Sequence, residues 1–297
     1  MFDQSVIDAA RQHGIEAYPR ESCGLVVDGT YLPCANVAEV PEEAFEIAKK
    51  DWQRGMASGT IDAVIHSHPD GPACPTAADM RGQMQTAIPW GIFESSVDNA
   101  KEPFWFGDQV PIDEGPAGSP PIVGRYFRHA VTDCYDVIRD WWRLERGVLL
   151  PNFPRDWEWW LPEVTKDGRG IARVKNGRRI SWTHDEQEFA IEGPIDRFPV
   201  EHAGFVIEAP ENLYADNFEV AGFHEIDERE VDVGDCFLAN IGTKTPNHGG
   251  VYVGNGLGLH HLTARRPVDY ARIAKRDPIA RWSSSYISVW LRYDGHA

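Results

Sequence analysis

The sequence predicts a two-domain protein of the α+β class, on three observations. Short apolar runs bounded by turn residues alternate with segments of helical spacing, which is a mixed pattern of strands and helices. A stretch at 111–121, PIDEGPAGSPP, has seven of its eleven residues as Pro, Gly or Ser, a semi-rigid linker composition. Each side of that stretch carries its own histidine-bearing constellation. At 297 residues the chain is long enough for two domains. Residues 1–110 therefore read as one domain, 111–121 as a linker and 122–297 as a second domain with an insertion near 161–209.

In the first domain, helical spacing covers Gln4 to His13 and Phe45 to Met56. A strand pair runs from Gly24 to Pro33, and Ile61 to Ile65 is a further strand. Thr76 to Gln85 follows as a helix, with Thr76 as its cap, and Ile92–Ser96 and Pro103–Phe106 read as strands. In the second domain Val137, Ile138, Trp141, Trp142 and Leu144 recur at helical spacing. Thr132 or Asp133 caps the start of that helix and Gly147 ends it. Asn247 to His261 reads as a hairpin turning near Asn255-Gly256.

Lysine and arginine number 29 against 46 acids, a net charge of −17, which disfavours a nucleic-acid partner. The excess is uneven: residues 1–121 hold 7 basic and 19 acidic side chains, the remainder 22 and 27. Five cysteines without framework spacing point to synthesis in a reducing compartment; Cys23, Cys34, Cys74 and Cys236 read as small buried residues. Met1-Phe2-Asp3-Gln4 begins no secretory signal, and no apolar run approaches the roughly 18 residues that span a bilayer. The chain is expected to be soluble when made.

Chemistry concentrates first at Ile65-His66-Ser67-His68-Pro69. Two histidines two apart at a strand end project to one side and can hold one ion together. An aspartate eleven residues on, Asp79, would complete a three-ligand set with a fourth position left for water, as catalytic zinc requires. Upstream, Glu21 in Tyr18-Pro19-Arg20-Glu21-Ser22-Cys23-Gly24 offers the non-ligand carboxylate that metal-assisted hydrolysis needs as a base. Taken alone, Thr76-x-x-Asp79 is an ordinary helix-start signal. The order Glu, HxH, seven residues, Thr, two residues, Asp resembles that of the JAMM metallopeptidases, in which Ser stands at the Thr position. The resemblance implies His66, His68 and Asp79 as zinc ligands, Glu21 as the base, and Thr76 in place of the serine that hydrogen-bonds the reacting centre.

The second constellation pairs Cys134 with histidines. Cys134 falls in the first turn of its helix, where the helix end favours a thiolate; a lone cysteine there otherwise reads as packing. Asn247-His248-Gly249-Gly250-Val251-Tyr252-Val253-Gly254-Asn255-Gly256-Leu257-Gly258-Leu259-His260-His261 places histidines at the far ends of two strands, and a thiol on a helix with imidazoles on a sheet is a nucleophile–base division of labour. With a two-residue turn His261 shares a face with His248; with a three-residue turn, Gly254 to Gly256, His260 does. The motifs resemble the NlpC-type cysteine peptidases of peptidoglycan, which have a papain-like fold. That resemblance implies Cys134 as nucleophile, His248 as base, His260 as orienting group, and a γ-D-glutamyl to diamino-acid bond of stem peptides as substrate.

Trp157, Trp159 and Trp160 read either as core or as a platform for sugar rings or a protein partner. The insertion carries a basic patch of Lys166, Arg169, Arg173, Lys175, Arg178 and Arg179. A JAMM-like domain followed by an NlpC-type domain resembles the tail assembly protein K family of lambda-like phages over most of the chain. The resemblance implies a protein made in the host cytoplasm and carried in the virion tail tip, with other tail-tip proteins and peptidoglycan stem peptides as partners. The rival expectations are a structural tail component with vestigial sites and a bacterial wall-remodelling peptidase.

Overall fold

Cys23-Gly24-Leu25-Val26-Val27 is apolar throughout, and in the computed structural model of the chain it is strand β1 (Cys23–Val27), buried on both faces. The structure describes residues 2–110, 122–174, 179–193, 199–262, 264–282 and 286–295. The expected linker 111–121, and Lys175 and Arg178 of the basic patch, lie outside the described residues. The chain divides into two compact units, 1–136 with 261–275, and 137–260 with 276–297.

The first unit opens with helix α1 (Gln4–Ala17) and is built on a five-stranded sheet. β1 lies between β2 (Thr30–Cys34) and β3 (Ile61–Pro69), antiparallel to both; β4 (Trp90–Ser95) runs parallel to β3, and β5 (Phe104–Phe106) closes the edge. A parallel neighbour requires a crossover, and helix α3 (Ala77–Thr86) lies between β3 and β4 in the chain. Side-chain alternation sorts the core into two layers. Cys23, Leu25, Val27, Val64 and Ile92 face one cluster, and Val26, Ala63, Ile65 and Phe93 face the other with Val6 and Ala10 of α1. The histidines lie inside β3, which runs four residues past the expected strand end at Ile65. The expected helix from Phe45 is a correction: α2 spans Lys49–Ser58. Residues before it are drawn into extended pairing instead, Asn36 bridging Ile47, Val37 N–H donating to Glu46 O and Ala48 N–H to Ala35 O.

Further along the first unit, β6 (Tyr126–Arg128) leads to the start of helix α4 (Cys134–Arg146). The cap is reciprocal. The Asp133 carboxylate accepts from Tyr135 N–H (2.9 Å) and Asp136 N–H (3.2 Å), and the Asp136 carboxylate accepts from Asp133 N–H (3.3 Å).

In the second unit, α4 buries Val137, Ile138, Trp141 and Trp142. The insertion folds as two small sheets. β7 (Glu163–Lys166), β8 (Arg169–Arg173), β11 (Val200–His202) and β12 (Phe205–Glu208) form one; β9 (Arg179–His184) and β10 (Gln187–Glu192) form the other. Their own core holds Val164, Val174, Ile180, Trp182, Phe205 and Ile207. Of the tryptophan cluster, Trp159 is buried against Tyr214 of helix α5 (Leu213–Phe218), and Trp157 and Trp160 meet edge to face, half-buried.

A six-stranded sheet completes this unit. It is ordered β13 (Phe223–Ile226), β19 (Ile287–Tyr293), β14 (Cys236–Ala239), β15 (His248–Tyr252), β16 (Leu257–His260) and β18 (Lys275–Pro278). The remaining strand, β17 (Val268–Ile273), belongs to the first unit and pairs with β6. Among the described residues no helix is long and apolar enough to cross a membrane.

Candidate functional site

Two sites emerge from these elements. In β3, alternation turns His66 and His68 to the face that carries Trp90 and Phe45; the Phe45 ring lies 4.3 Å from that of His66, centroid to centroid. Pro72 O accepts from His68 Nδ1–H at 2.9 Å, which turns Nε2 inward. The two Nε2 atoms approach to 3.1 Å, and Asp79 presents Oδ1 at 3.3 Å from His66 and Oδ2 at 3.6 Å from His68. Three donors around a tetrahedral zinc at about 2.0–2.1 Å would be about 3.3 Å apart, so the observed triangle fits one shared ion. The Glu21 carboxylate also lies within 4.8 Å of both imidazole donors.

The two carboxylates are tuned in opposite directions. Burial pushes Glu21 up to about 7, with the Asp79 charge adding to the shift and His68 opposing it. Burial also acts against an Asp79 anion, but the charges and hydrogen bonds of His66 and His68 outweigh it and hold Asp79 well below the usual carboxylate range. One group is a standing anion suited to ligation, and the other exchanges a proton near neutrality. Thr76 caps α3: Asp79 N–H donates to its Oγ1 (3.2 Å), while its hydroxyl and its backbone N–H both donate to Asp79 Oδ2 (2.8 Å each). The threonine hydroxyl thus gives its one proton to Asp79 Oδ2 here.

The second site rests on the β15–β16 hairpin. Val253 N–H donates to Leu257 O, and Gly254, Asn255 and Gly256, all at positive φ, form a three-residue loop. The register pairs Gly250 with His260, so His260 and not His261 shares the face of His248. Only glycine fits at position 250, since a Cβ there would stand 2.5 Å from Leu259 O and 2.8 Å from His260 Cβ. His248 Nε2 meets His260 Nδ1 at 3.1 Å, and His260 Nε2 meets Asp277 Oδ2 at 3.4 Å. Sequence reasoning missed Asp277, because it lies seventeen residues past His260 on another strand with no motif around it. His261 points the other way. Its Nδ1 faces Thr132 O at 2.6 Å and its Nε2 faces Arg272 O at 3.2 Å. Cys134 is the first residue of α4 and is buried.

Two family models match the chain. Residues 124–289 match the NlpC/P60 family and residues 3–106 match the prokaryotic homologs of the JAB domain. The chain belongs to the NlpC/P60 family. Over 295 residues it is 26% identical to the tail tip assembly protein K of Escherichia phage N15, covering 98% of this chain and 95% of that protein. It is likewise 26% identical over 245 residues to the tail tip assembly protein K of Escherichia phage lambda, covering 82% and 88%. A solution structure of a protein from Salinibacter ruber is 22% identical and covers 39% of this chain and 86% of its own, at a TM-score of 0.28, too slight a likeness to build on.

Proposed function

We propose that the chain is a phage tail-tip assembly protein that opens peptidoglycan by a thiol mechanism and carries a zinc peptidase centre in its JAB-like part. Its partners would be the other tail-tip proteins and the stem peptides of the wall, in a virion tail location; both kinds of relative named above are tail tip assembly proteins. The observation that carries the thiol reading is the Asp277–His260–His248 chain of contacts on the hairpin. A carboxylate that orients one imidazole, which orients a second, is the support a general base needs. His248 turns Nε2 to His260, which makes Nδ1 the nitrogen to take the proton of the Cys134 thiol. The sulfur then adds to the stem-peptide carbonyl, the amine leaves with that proton, and water releases the acyl group.

In the JAB-like part His66, His68 and Asp79 would hold zinc, with Thr76 positioning Asp79. The ion, when bound, supplies Lewis acidity toward a carbonyl and acidifies water. Glu21 would serve as the base, taking a proton from an attacking water and handing it to the leaving amine as the C–N bond breaks.

Incubating the full chain with purified peptidoglycan and identifying released fragments by mass spectrometry tests the thiol reading. Stem-peptide fragments should appear and be absent with Cys134→Ser. Fragments that persist with Cys134→Ser rule out the thiol mechanism. No fragments from the unmodified chain would leave the rival, a structural tail component, for which the burial of Cys134 speaks.

A further inference from the structure

Glu21, His68, Thr76 and Asp79 line a cleft of about 390 Å³, and Phe45, Ile47, Trp52 and Trp90 give it an apolar wall. That wall is held in place. Trp90 Nε1–H donates to Thr86 Oγ1 at 2.9 Å, and the indole lies where a Cβ on residue 82 would stand 2.4 Å from it, so Gly82 makes room for the ring. The loop bearing Phe45 is stapled by one side chain. Asn36 Nδ2 donates to Glu21 O (3.0 Å) and Ala44 O (2.9 Å), and Asn36 Oδ1 accepts from Ala38 N–H (3.0 Å) and Glu46 N–H (3.1 Å). The same amide therefore fixes the backbone of Glu21 and the wall of the cleft.

A fixed aromatic wall beside a hydrolytic centre is surface for a substrate side chain to cover. Glu43 and Glu46 on the same loop also line the cleft; both are exposed, and among the described residues no ion pair engages either. Stem peptides offer methyl, carboxylate and amine-bearing side chains, none of which fills such a wall. A bulky apolar residue of a polypeptide does.

We propose that the cleft is a subsite for a polypeptide substrate, taking a bulky apolar side chain beside the scissile amide with a basic residue next to it against Glu43 and Glu46. The proposal rests on the reading of the cluster as a metallopeptidase, and the test separates the two. The full chain with Glu21→Gln, loaded with zinc, is titrated with peptides that differ only in Leu or Ala at one position and Lys or Glu at the next, by calorimetry. The Leu peptide should bind about tenfold more tightly than the Ala peptide, as burial of a branched side chain implies. Trp52→Ala should abolish that preference. Ala78→Trp, which fills the cleft from an exposed lining position and leaves the core untouched, should abolish it as well. The double change Glu43→Gln, Glu46→Gln should remove the preference for Lys over Glu. Equal affinity for the Leu and Ala peptides, or a preference that survives Ala78→Trp, overturns the subsite. Preferential binding with no cleavage of the Leu peptide by the zinc-loaded unmodified chain leaves the subsite standing and overturns the peptidase reading.

Discussion

His261 should make the first unit acid-labile. Its ring is fully buried and set between two backbone carbonyls, those of Thr132 and Arg272. Burial lowers its pKa from an ordinary 6.5 to about 4, against the pull of those two carbonyls. Because the folded value is depressed, the unfolded chain binds the proton first as pH falls. The contribution of this residue is therefore whole above about pH 6.5 and is lost progressively as pH falls toward about 4. At pH 4.5 the loss amounts to about 2 to 3 kcal/mol, from a shift of about 1.4 kcal/mol per pH unit over most of that window. Denaturant unfolding of the full chain at pH 7 and pH 4.5 reads it, alongside His261→Gln, which keeps a hydrogen-bonding side chain and does not titrate. The stability difference between the two pH values should be smaller in His261→Gln by that amount. Parallel pH dependence of the two proteins refutes the argument, as does a His261 ring resonance that titrates near 6.5.

Three more outcomes are expected. The purified chain should contain one zinc by elemental analysis, lost with His66→Ala and His68→Ala together and retained with Glu21→Gln, because the base is not a ligand; equal zinc in the double variant would dismiss the site. Alkylation near pH 7 followed by peptide mapping should label Cys134 before the others, since burial pushes Cys23 and Cys74 up to about 12 and Cys34 up to about 11; faster labelling of any of those three contradicts this. Asp133→Ala removes two accepted N–H bonds at the start of α4 and should cost about 1 to 2 kcal/mol in denaturant unfolding; an unchanged midpoint would mean that the cap is not what holds the helix start.

Much of both sites was legible in the sequence because their chemistry is local. The alternation within one strand puts His66 and His68 on one face wherever that strand lies, and three residues suffice for Thr76 and Asp79 to cap a helix. The same locality narrowed the cap of α4 to Thr132 or Asp133, and the structure uses Asp133. The helix expected from Phe45 failed because apolar spacing says nothing of competing partners: the Asn36 amide takes up the backbone of 38–46, and α2 starts only at Lys49. The choice between His260 and His261 turned on one residue of loop length, which flips every side chain on a strand and which the hairpin pairing fixes. Asp277 had no local signal, since its contact with His260 exists only once β16 and β18 lie side by side. The opposed tuning of Glu21 and Asp79 was out of reach for the same reason: a carboxylate's pKa follows from what surrounds it in space, and only the packed sheet brings burial and two imidazoles to bear on residues 58 positions apart.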